Sequence, residues 1–375
     1  MISSFSFYHM RPDVVESPHC ARQDSLRGLM EESGLPSLLV TNLKNIAYLT
    51  GFRGSAGAAL LTSREAVLWV DPRYTRQALE EAHGVQVIEE RKGLLTAVGE
   101  HLKTLRVRRA GYDDAHLSCA DFARLERAAG LRVRFVPSAG LVERLRVVKD
   151  EGEIAKIREA GRITAEVFQE VVRRVRPGIR ESDLGAEIEY LMRKKGAEGV
   201  AFETMVASGP RAALPHARAS SRLLGENEFV IFDLGAILAG YAADMTRTVY
   251  MGEPSRRIRS FYNAVVEAQE KAVQSVLPGA RAGDVDTVAR RALAGRDLAR
   301  FFVHSTGHGV GMDVHELPRL ARGERTRLRT GNVVTVEPGI YSESFGGIRV
   351  EDTILVGPAG HEVLTPAAKD QWVVE

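Results

Sequence analysis

The chain has 375 residues, enough for two domains each with its own core, and balances 51 Lys and Arg against 49 Asp and Glu. A formal net charge of +2, with 27% charged residues of both signs mixed along the chain, argues against nucleic acid or an acidic membrane as the main partner. No apolar run approaches the length of a membrane span.

Cys20 and Cys119 are the only cysteines and have no ligand-like spacing, so free thiols in a reducing compartment are expected. Met1 to Met10 lacks a basic region followed by an apolar one, which argues against a secretory signal; the residues up to about Pro18 read as an irregular extension. A soluble cytoplasmic protein is expected.

From Arg22 to about Val136 helical and extended patterns alternate. A helix is predicted over Ala21 to Glu32, a strand over Ser37 to Val40, a paired Gly57 to Leu61 and Ala66 to Val70, and a helix from near Tyr74. Short strands at Val85 to Ile88, Ala110 to Tyr112 and Arg132 to Phe135 alternate with helices at Leu94 to Leu105 and Ser118 to Ala129. This is an α/β sheet covered by helices. Asp71 and Arg73 in Asp-Pro-Arg-Tyr read as turn and capping residues, and the arginine clusters at Arg106 to Arg109 and Arg322 to Arg329 as solvated faces.

Pro137-Ser138-Ala139-Gly140 breaks the pattern and marks a boundary, giving domains at residues 20–138 and 145–375. A long amphipathic helix is predicted from Leu145 to about Val175, with Ile154, Ile157, Ala160, Ile163, Val167 and Val171 at helical spacing. The second domain then repeats its organisation. A helix ends at Pro177-Gly178, a second covers Ser182 to Lys195, and a strand pair follows. Helices over Arg256 to Val276 and Asp284 to Ala294 lead to strands at Asn332 to Glu337 and Gly347 to Val356. The Pro-Gly pair at Pro177 recurs 101 residues on at Pro278, and Glu337 lies 104 residues beyond Asp233, the trace of an internal duplication.

Between Phe229 and Met251 two β-branched runs flank a break at Leu238-Ala239-Gly240. Folded about that break, Asp233 falls opposite or nearly opposite Asp244, and like charges facing across a ladder need a cation between them. The alternative is that Asp233 closes a turn with Gly235 and Asp244 pairs with Arg247. Each half delivers two carboxylates from paired strands, Asp233 and Asp244, then Glu337 and Glu351. Four such acids in one pocket require about two divalent cations. His308, between glycines in Thr306-Gly-His-Gly-Val-Gly311, supplies an imidazole to a crowded centre. Carboxylate-dominated ligation with one histidine favours Mn²⁺, Co²⁺, Fe²⁺ or Zn²⁺, and a pair of them about 3.5–4 Å apart activates water as hydroxide and polarises a carbonyl.

Five motifs in order, Phe-Asp233-Leu-Gly-Ala, Ala-Asp244-Met-Thr-Arg-Thr, Gly-His308-Gly-Val-Gly, Val-Glu337-Pro-Gly-Ile-Tyr and Arg-Val-Glu351-Asp-Thr, resemble the pita-bread metallopeptidases, especially the Xaa-Pro aminopeptidases (aminopeptidase P) and prolidases. The likeness runs from about Arg22 to the C-terminus and includes Asn45-Ile-Ala-Tyr-Leu-Thr-Gly-Phe. It implies a creatinase/prolidase-like α/β N-terminal domain and an α+β pita-bread, methionine aminopeptidase-like catalytic domain with a pseudo-two-fold repeat. It also implies that Asp233 chelates one ion, His308 and Glu337 the other, and Asp244 and Glu351 bridge both. The ions would be Mn²⁺, with Co²⁺ or Zn²⁺ as alternatives, holding a bridging hydroxide nucleophile.

His216, in Leu-Pro-His-Ala, and His315, in Val-His-Glu-Leu-Pro, fall on the family's substrate-side histidines, which bind substrate and the developing oxyanion. Glu337 fits the family's proton shuttle, Arg349 its site arginine, and Tyr241 a supporting hydrogen bond beside the hairpin. A plain salt bridge from Arg349 to Glu351 is the alternative for that arginine. His304, His361, His83, His101 and His116 read as structural or solvent-facing. Ala243 stands where the family often has Ser, and Arg211 where Asn is common.

The implied substrates are short proline-containing peptides. The implied activity is removal of the N-terminal residue before proline, in a homodimer whose N-terminal domain restricts peptide size. A strict Xaa-Pro dipeptidase shares every motif. The extra N-terminal domain weighs against a methionine aminopeptidase, and the intact quintet against a creatinase-like metal-free enzyme or a non-catalytic binding module.

Overall fold

The computed structural model describes residues 7–8 and 17–374 and divides into two units, Met1–Leu145 and Arg146–Glu375. No helix among the described residues is long and apolar enough to cross a membrane. Both cysteines are free thiols.

In the first unit one mixed sheet has seven strands in the order Phe7–Tyr8, Gln86–Glu89, Ala66–Val70, Ala58–Thr62, Ser37–Val40, Arg109–Tyr112 and Arg134–Pro137. The central strands Ser37–Val40, Ala58–Thr62 and Ala66–Val70 are buried along their whole lengths, which explains their continuous apolar runs. Most predicted elements are present within a residue or two, but the N-terminal extension includes the edge strand Phe7–Tyr8; the rest of that extension up to residue 16 lies outside the described residues. A helix absent from the sequence reading, Leu43–Thr50, spans only two turns. Asn42 caps it by accepting from the amides of Lys44 (2.9 Å) and Asn45 (3.3 Å), and Gly51 ends it at φ 88°. Asp71 behaves as the turn residue its dipeptide suggests, accepting from the amide and guanidinium of Arg73.

The long helix of the second unit begins later than predicted, at Glu151, and runs to Val171. Asp150 accepts from the Glu153 amide while the Glu153 carboxylate accepts from the Asp150 amide, a capping box that starts the helix there. Leu145 and Arg146 instead end a separate short helix, Leu141–Arg146. Ile154, Ile157, Ile163, Val167 and Val171 are buried as their spacing requires, each contributing roughly 1.5–3 kcal/mol.

The duplication is visible in matched contacts. Helices Glu151–Val171 and Glu181–Lys194 of the first half correspond to Arg256–Gln274 and Ala282–Ala294 of the second. Gly178 (φ 83°) donates its amide to Leu224, and Gly279 (φ 86°) donates to Leu328. The first half forms a four-stranded sheet in the order Val373–Val374, Met245–Met251, Phe229–Leu234 and Met205–Ser208. The second forms a five-stranded sheet in the order Glu316–Leu320, Gly307–Gly309, Val333–Val336, Asp352–Val356 and His361–Val363. Each half has its own apolar core between helices and sheet.

The predicted strand Gly347 to Val356 is broken in two. Gly346–Arg349 pairs with Gly339–Ser342, while Asp352–Val356 pairs with Val333–Val336. Pro338, which has no N–H, sits in the facing chain at the break, and Glu351 falls in the interruption. The freed Glu351 amide donates across to the Thr246 carbonyl at 3.0 Å.

Candidate metal centre

Phe229–Leu234 and Met245–Met251 form an antiparallel ladder with Asp233 opposite Thr246. The same register continues through Ile237↔Ala242 and Leu238↔Tyr241 to a turn at Ala239 (φ 48°) and Gly240 (φ 80°). Two successive positive φ values are the two-residue hairpin geometry that the break predicted. Asp244 is thus two residues along from Thr246, diagonal to Asp233 on the same face. At Gly235 the strands approach so closely that a Cβ would lie 2.0 Å from the Ala243 carbonyl oxygen.

The two halves meet along 244–248 and 349–353. Thr353 Oγ1 donates to the Asp244 carbonyl (2.7 Å), Thr246 Oγ1 to Glu351 Oε2 (2.6 Å), and Thr248 Oγ1 to the Arg349 carbonyl (2.8 Å). Asp244-Met-Thr246 and Glu351-Asp-Thr353 therefore occupy matching places, each acid beside the other half's threonine. Arg247 is not the partner of Asp244: its guanidinium pairs with Asp352 at 2.6 Å.

His308 is carried on the strand Gly307–Gly309, squeezed between two neighbours. A Cβ on Gly307 would come within 2.0 Å of the Thr335 carbonyl, and one on Gly309 within 2.2 Å of that of Leu317. The glycines admit adjacent backbones, which fixes the imidazole between them. His308 Nδ1 lies 3.1 Å from the Gly309 carbonyl, so it carries the proton and leaves Nε2 facing the acids. Nε2 is 3.3 Å from Glu337 Oε1 and 3.7 Å from Asp244 Oδ2. One ligand atom each from Asp244, His308 and Glu351 lie within 4.8 Å of one another, a spacing that could hold an ion.

Electrostatics make this cluster expensive without a cation. Burial, then the neighbouring Asp233 charge, pushes Asp244 well above the ordinary carboxylate range; burial, then Asp244, does the same to Glu351. Burial also raises Asp233 against the pull of Arg349. For Glu337 burial is outweighed by the hydrogen bond and charge of His308, which hold it low. Burial opposes the charged form of His308, yet Glu337 and Asp244 together raise it to about 9.

Arg349 is buried and pairs with Asp233 rather than Glu351, donating from Nη2 to Oδ2 at 2.6 Å. Its Nε donates to Thr246 Oγ1 (2.9 Å), and its Nη1 to the Pro215 carbonyl (3.0 Å) and Tyr341 Oη (2.9 Å). The other Asp233 oxygen, Oδ1, is buried with no hydrogen-bond partner. That orphaned acceptor, beside carboxylates and the His308 Nε2 that faces them, fits divalent metal better than any donor present.

His315 is exposed, its ring centroid 4.2 Å from that of His308. Buried Arg146 and Lys149 bind the acids on either side of it: Arg146 reaches Asp313 (2.6 Å) and Glu316 (2.5 Å), and Lys149 reaches Glu316 (2.9 Å). His216 is also exposed, next to the Pro215 carbonyl held by Arg349. The Tyr241 hydroxyl donates to Glu153 (3.0 Å), a residue of the capping box.

His304 is drawn into the site's edge, which its sequence context did not suggest. Its Nδ1 faces the Ser305 carbonyl at 2.8 Å, so Nε2 accepts from Tyr341 Oη at 3.0 Å. The available signal was Tyr341 itself, four residues after Glu337, and the missed threonines were signalled by the repeated acid-x-Thr pattern.

Residues 155–358 match the model of metallopeptidase family M24, and residues 22–148 that of the creatinase/prolidase N-terminal domain. The chain is 35% identical to a solved Xaa-Pro dipeptidase from Bacillus anthracis, with TM-score 0.92 over 95% of this chain and 100% of that one. It is 36% identical to a solved X-Pro aminopeptidase from Thermotoga maritima, with TM-score 0.85 over 94% of this chain and 99% of that one. An Xaa-Pro dipeptidase of Pyrococcus horikoshii is 33% identical over 91% of this chain and 95% of its own length. With a doubled catalytic unit, acids drawn from both halves and an N-terminal unit of matching type, this chain belongs to metallopeptidase family M24 and is a hydrolase of that family.

Proposed function

We propose that the chain is a dinuclear metal-dependent exopeptidase that hydrolyses the N-terminal Xaa-Pro bond of short peptides. The observation that carries this reading is the convergence of Asp244, His308 and Glu351 from both halves within 4.8 Å. The names of similar proteins support the Xaa-Pro class, and those named Xaa-Pro dipeptidase favour a strict dipeptidase as the second reading. We assign Asp233 to one ion, His308 and Glu337 to the other, and Asp244 and Glu351 to both. Mn²⁺ is the proposed metal, with Co²⁺ or Zn²⁺ as alternatives. When bound, such a pair lowers the pKa of water and polarises the scissile carbonyl.

The protein's own groups then have distinct tasks. Glu337 Oε1 takes a proton from water and delivers it to the departing proline nitrogen, which leaves as an amine and needs that proton. His216 and His315 donate to the substrate and to the oxygen that gains charge as the carbonyl becomes tetrahedral. Arg349 opposes the rise that burial imposes on Asp233 and fixes the Pro215 backbone next to His216. An Xaa-Pro bond has no amide N–H, so a pocket reading the ring and the free amine suits it better than one reading backbone donors. To residues 20–138 we assign the restriction of peptide size and the contact with a second copy, in the cytoplasm.

The test is removal of metal with a chelator and separate restoration of Mn²⁺, Co²⁺ or Zn²⁺, with Xaa-Pro dipeptides compared against Xaa-Pro-Xaa tripeptides. Restored cleavage of both is expected. Cleavage of dipeptides alone selects the second reading, and restoration by no metal removes both. His315→Ala is expected to lower kcat by roughly a hundredfold while bound metal stays unchanged. Loss of metal in that variant, read by elemental analysis, places His315 among the ligands instead.

A further inference from the structure

Glu181 has no solvent exposure, yet no role in the chemistry above uses it. It opens the helix Glu181–Lys194, and its carboxylate turns back toward the segment between Ser208 and Ser220. Oε1 accepts from the amide and hydroxyl of Ser208, both at 2.8 Å. Oε2 accepts from the Ser220 amide (3.1 Å), the Ser220 hydroxyl (2.6 Å) and Arg211 Nε (3.0 Å). Five donors on one buried carboxylate satisfy it fully and compensate its desolvation.

The arrangement is a staple. Ser208 and Ser220 are the two ends of a loop, and one side chain ties both. Arg211, inside the loop, links the same carboxylate to the Arg218 carbonyl near the loop's far side. Arg222 adds a second tie at the base, donating to Ser208 Oγ (2.6 Å) and pairing with Glu228 (2.7 Å). At the tip Arg349 holds the Pro215 carbonyl, and the next residue is the exposed His216. A histidine on an unsupported loop samples many positions; one clamped at both ends and at the tip is held near a single position.

We propose that Glu181 is the positioning residue of the substrate loop: by closing residues 208–220 it sets where His216 meets the peptide, and Arg211 completes the latch in this chain. Glu181 touches neither substrate nor metal and acts through His216. The inference rests on the peptidase reading of His216 given above.

The test uses the full-length Mn²⁺-loaded protein with Ala-Pro and Ala-Pro-Ala. Glu181→Gln turns an amide donor toward groups that already donate, and is expected to lower kcat/KM roughly tenfold, mostly through KM. In a His216→Ala background the same change is expected to cost less than about twofold, because its effect passes through that ring. The amides of Ser208 and Ser220 are expected to lose hydrogen-exchange protection while those of Val230 and Ile231 keep it. Arg211→Asn removes one of the five donors to Glu181 together with the tie to the Arg218 carbonyl, and serves if Glu181→Gln does not fold. It should raise KM by about threefold, with the same non-additivity toward His216→Ala. An additive cycle, or unchanged protection at Ser208 and Ser220, overturns the role of Glu181. A wild-type chain that cleaves neither peptide overturns the peptidase reading instead, so the two failures are distinguishable.

Discussion

Asp244→Ala and Glu351→Ala are each expected to reduce peptide hydrolysis by at least roughly a thousandfold, with bound metal lowered and the far-ultraviolet circular dichroism of the folded chain retained. Both acids sit at the junction of the halves, each beside the other half's threonine, and both offer an oxygen to the cluster with His308. The fold survives because the junction is also held by backbone groups that alanine keeps, including the Glu351 amide to the Thr246 carbonyl. A second consequence separates this site from an ordinary salt-bridge network. Burial and mutual repulsion raise both acids, so deleting either carboxylate relieves the metal-free protein. The chelated Ala variants should melt above chelated wild type and gain less from added Mn²⁺. Full activity with normal metal content in either variant would sink the proposed centre.

Chelation is expected to destabilise the protein more as pH rises. The cause is His308, raised from 6.5 to about 9 by Glu337 and Asp244. A histidine with a raised folded pKa contributes stability that is complete below its unfolded value and is lost as pH climbs through the folded one. Asp244 and Glu351, raised in the fold, change in the same direction, since ionising them costs more folded than unfolded. Glu337, held low, works the other way, but its contribution is lost only as the solution is acidified below the ordinary carboxylate range. Between pH 6.5 and about 9 the gap at the imidazole alone is worth roughly 3 kcal/mol. For a unit of this size that lowers the midpoint of the chelated protein by roughly 5–10 °C. Metal reverses the trend, because its ligands must be deprotonated and binding strengthens with pH. Calorimetry at pH 6, 7.5 and 9, with chelator or with Mn²⁺, should show the two midpoints diverging. A gap that is constant or narrows with pH excludes His308 as a group exchanging proton for metal.

Local rules made much of this molecule legible. Continuous apolar runs located the strand Ser37–Val40 and the pair ending at Val70, and helical spacing located the buried face of Glu151–Val171. The turn at Ala239-Gly240 and the acids around it were readable because a hairpin's register follows from its turn. The late start of the long helix depended on one capping box, which outcompeted a longer amphipathic pattern. The strand break before Glu351 was hidden because its cause, Pro338, lies on the facing chain.

By itself the amino-acid order determined two sheet-and-helix halves, four acids at near-constant offset and one imidazole flanked by glycines, since each is a matter of spacing along a strand or helix. Only the tertiary structure decided which of these groups meet. It paired Arg349 with Asp233, gave Arg247 to Asp352, drew His304 to Tyr341, and set Glu181 under the loop of His216. The first two depend on strands meeting between halves about a hundred residues apart in sequence and the last two on elements brought together within one half, where no local periodicity carries information about who faces whom.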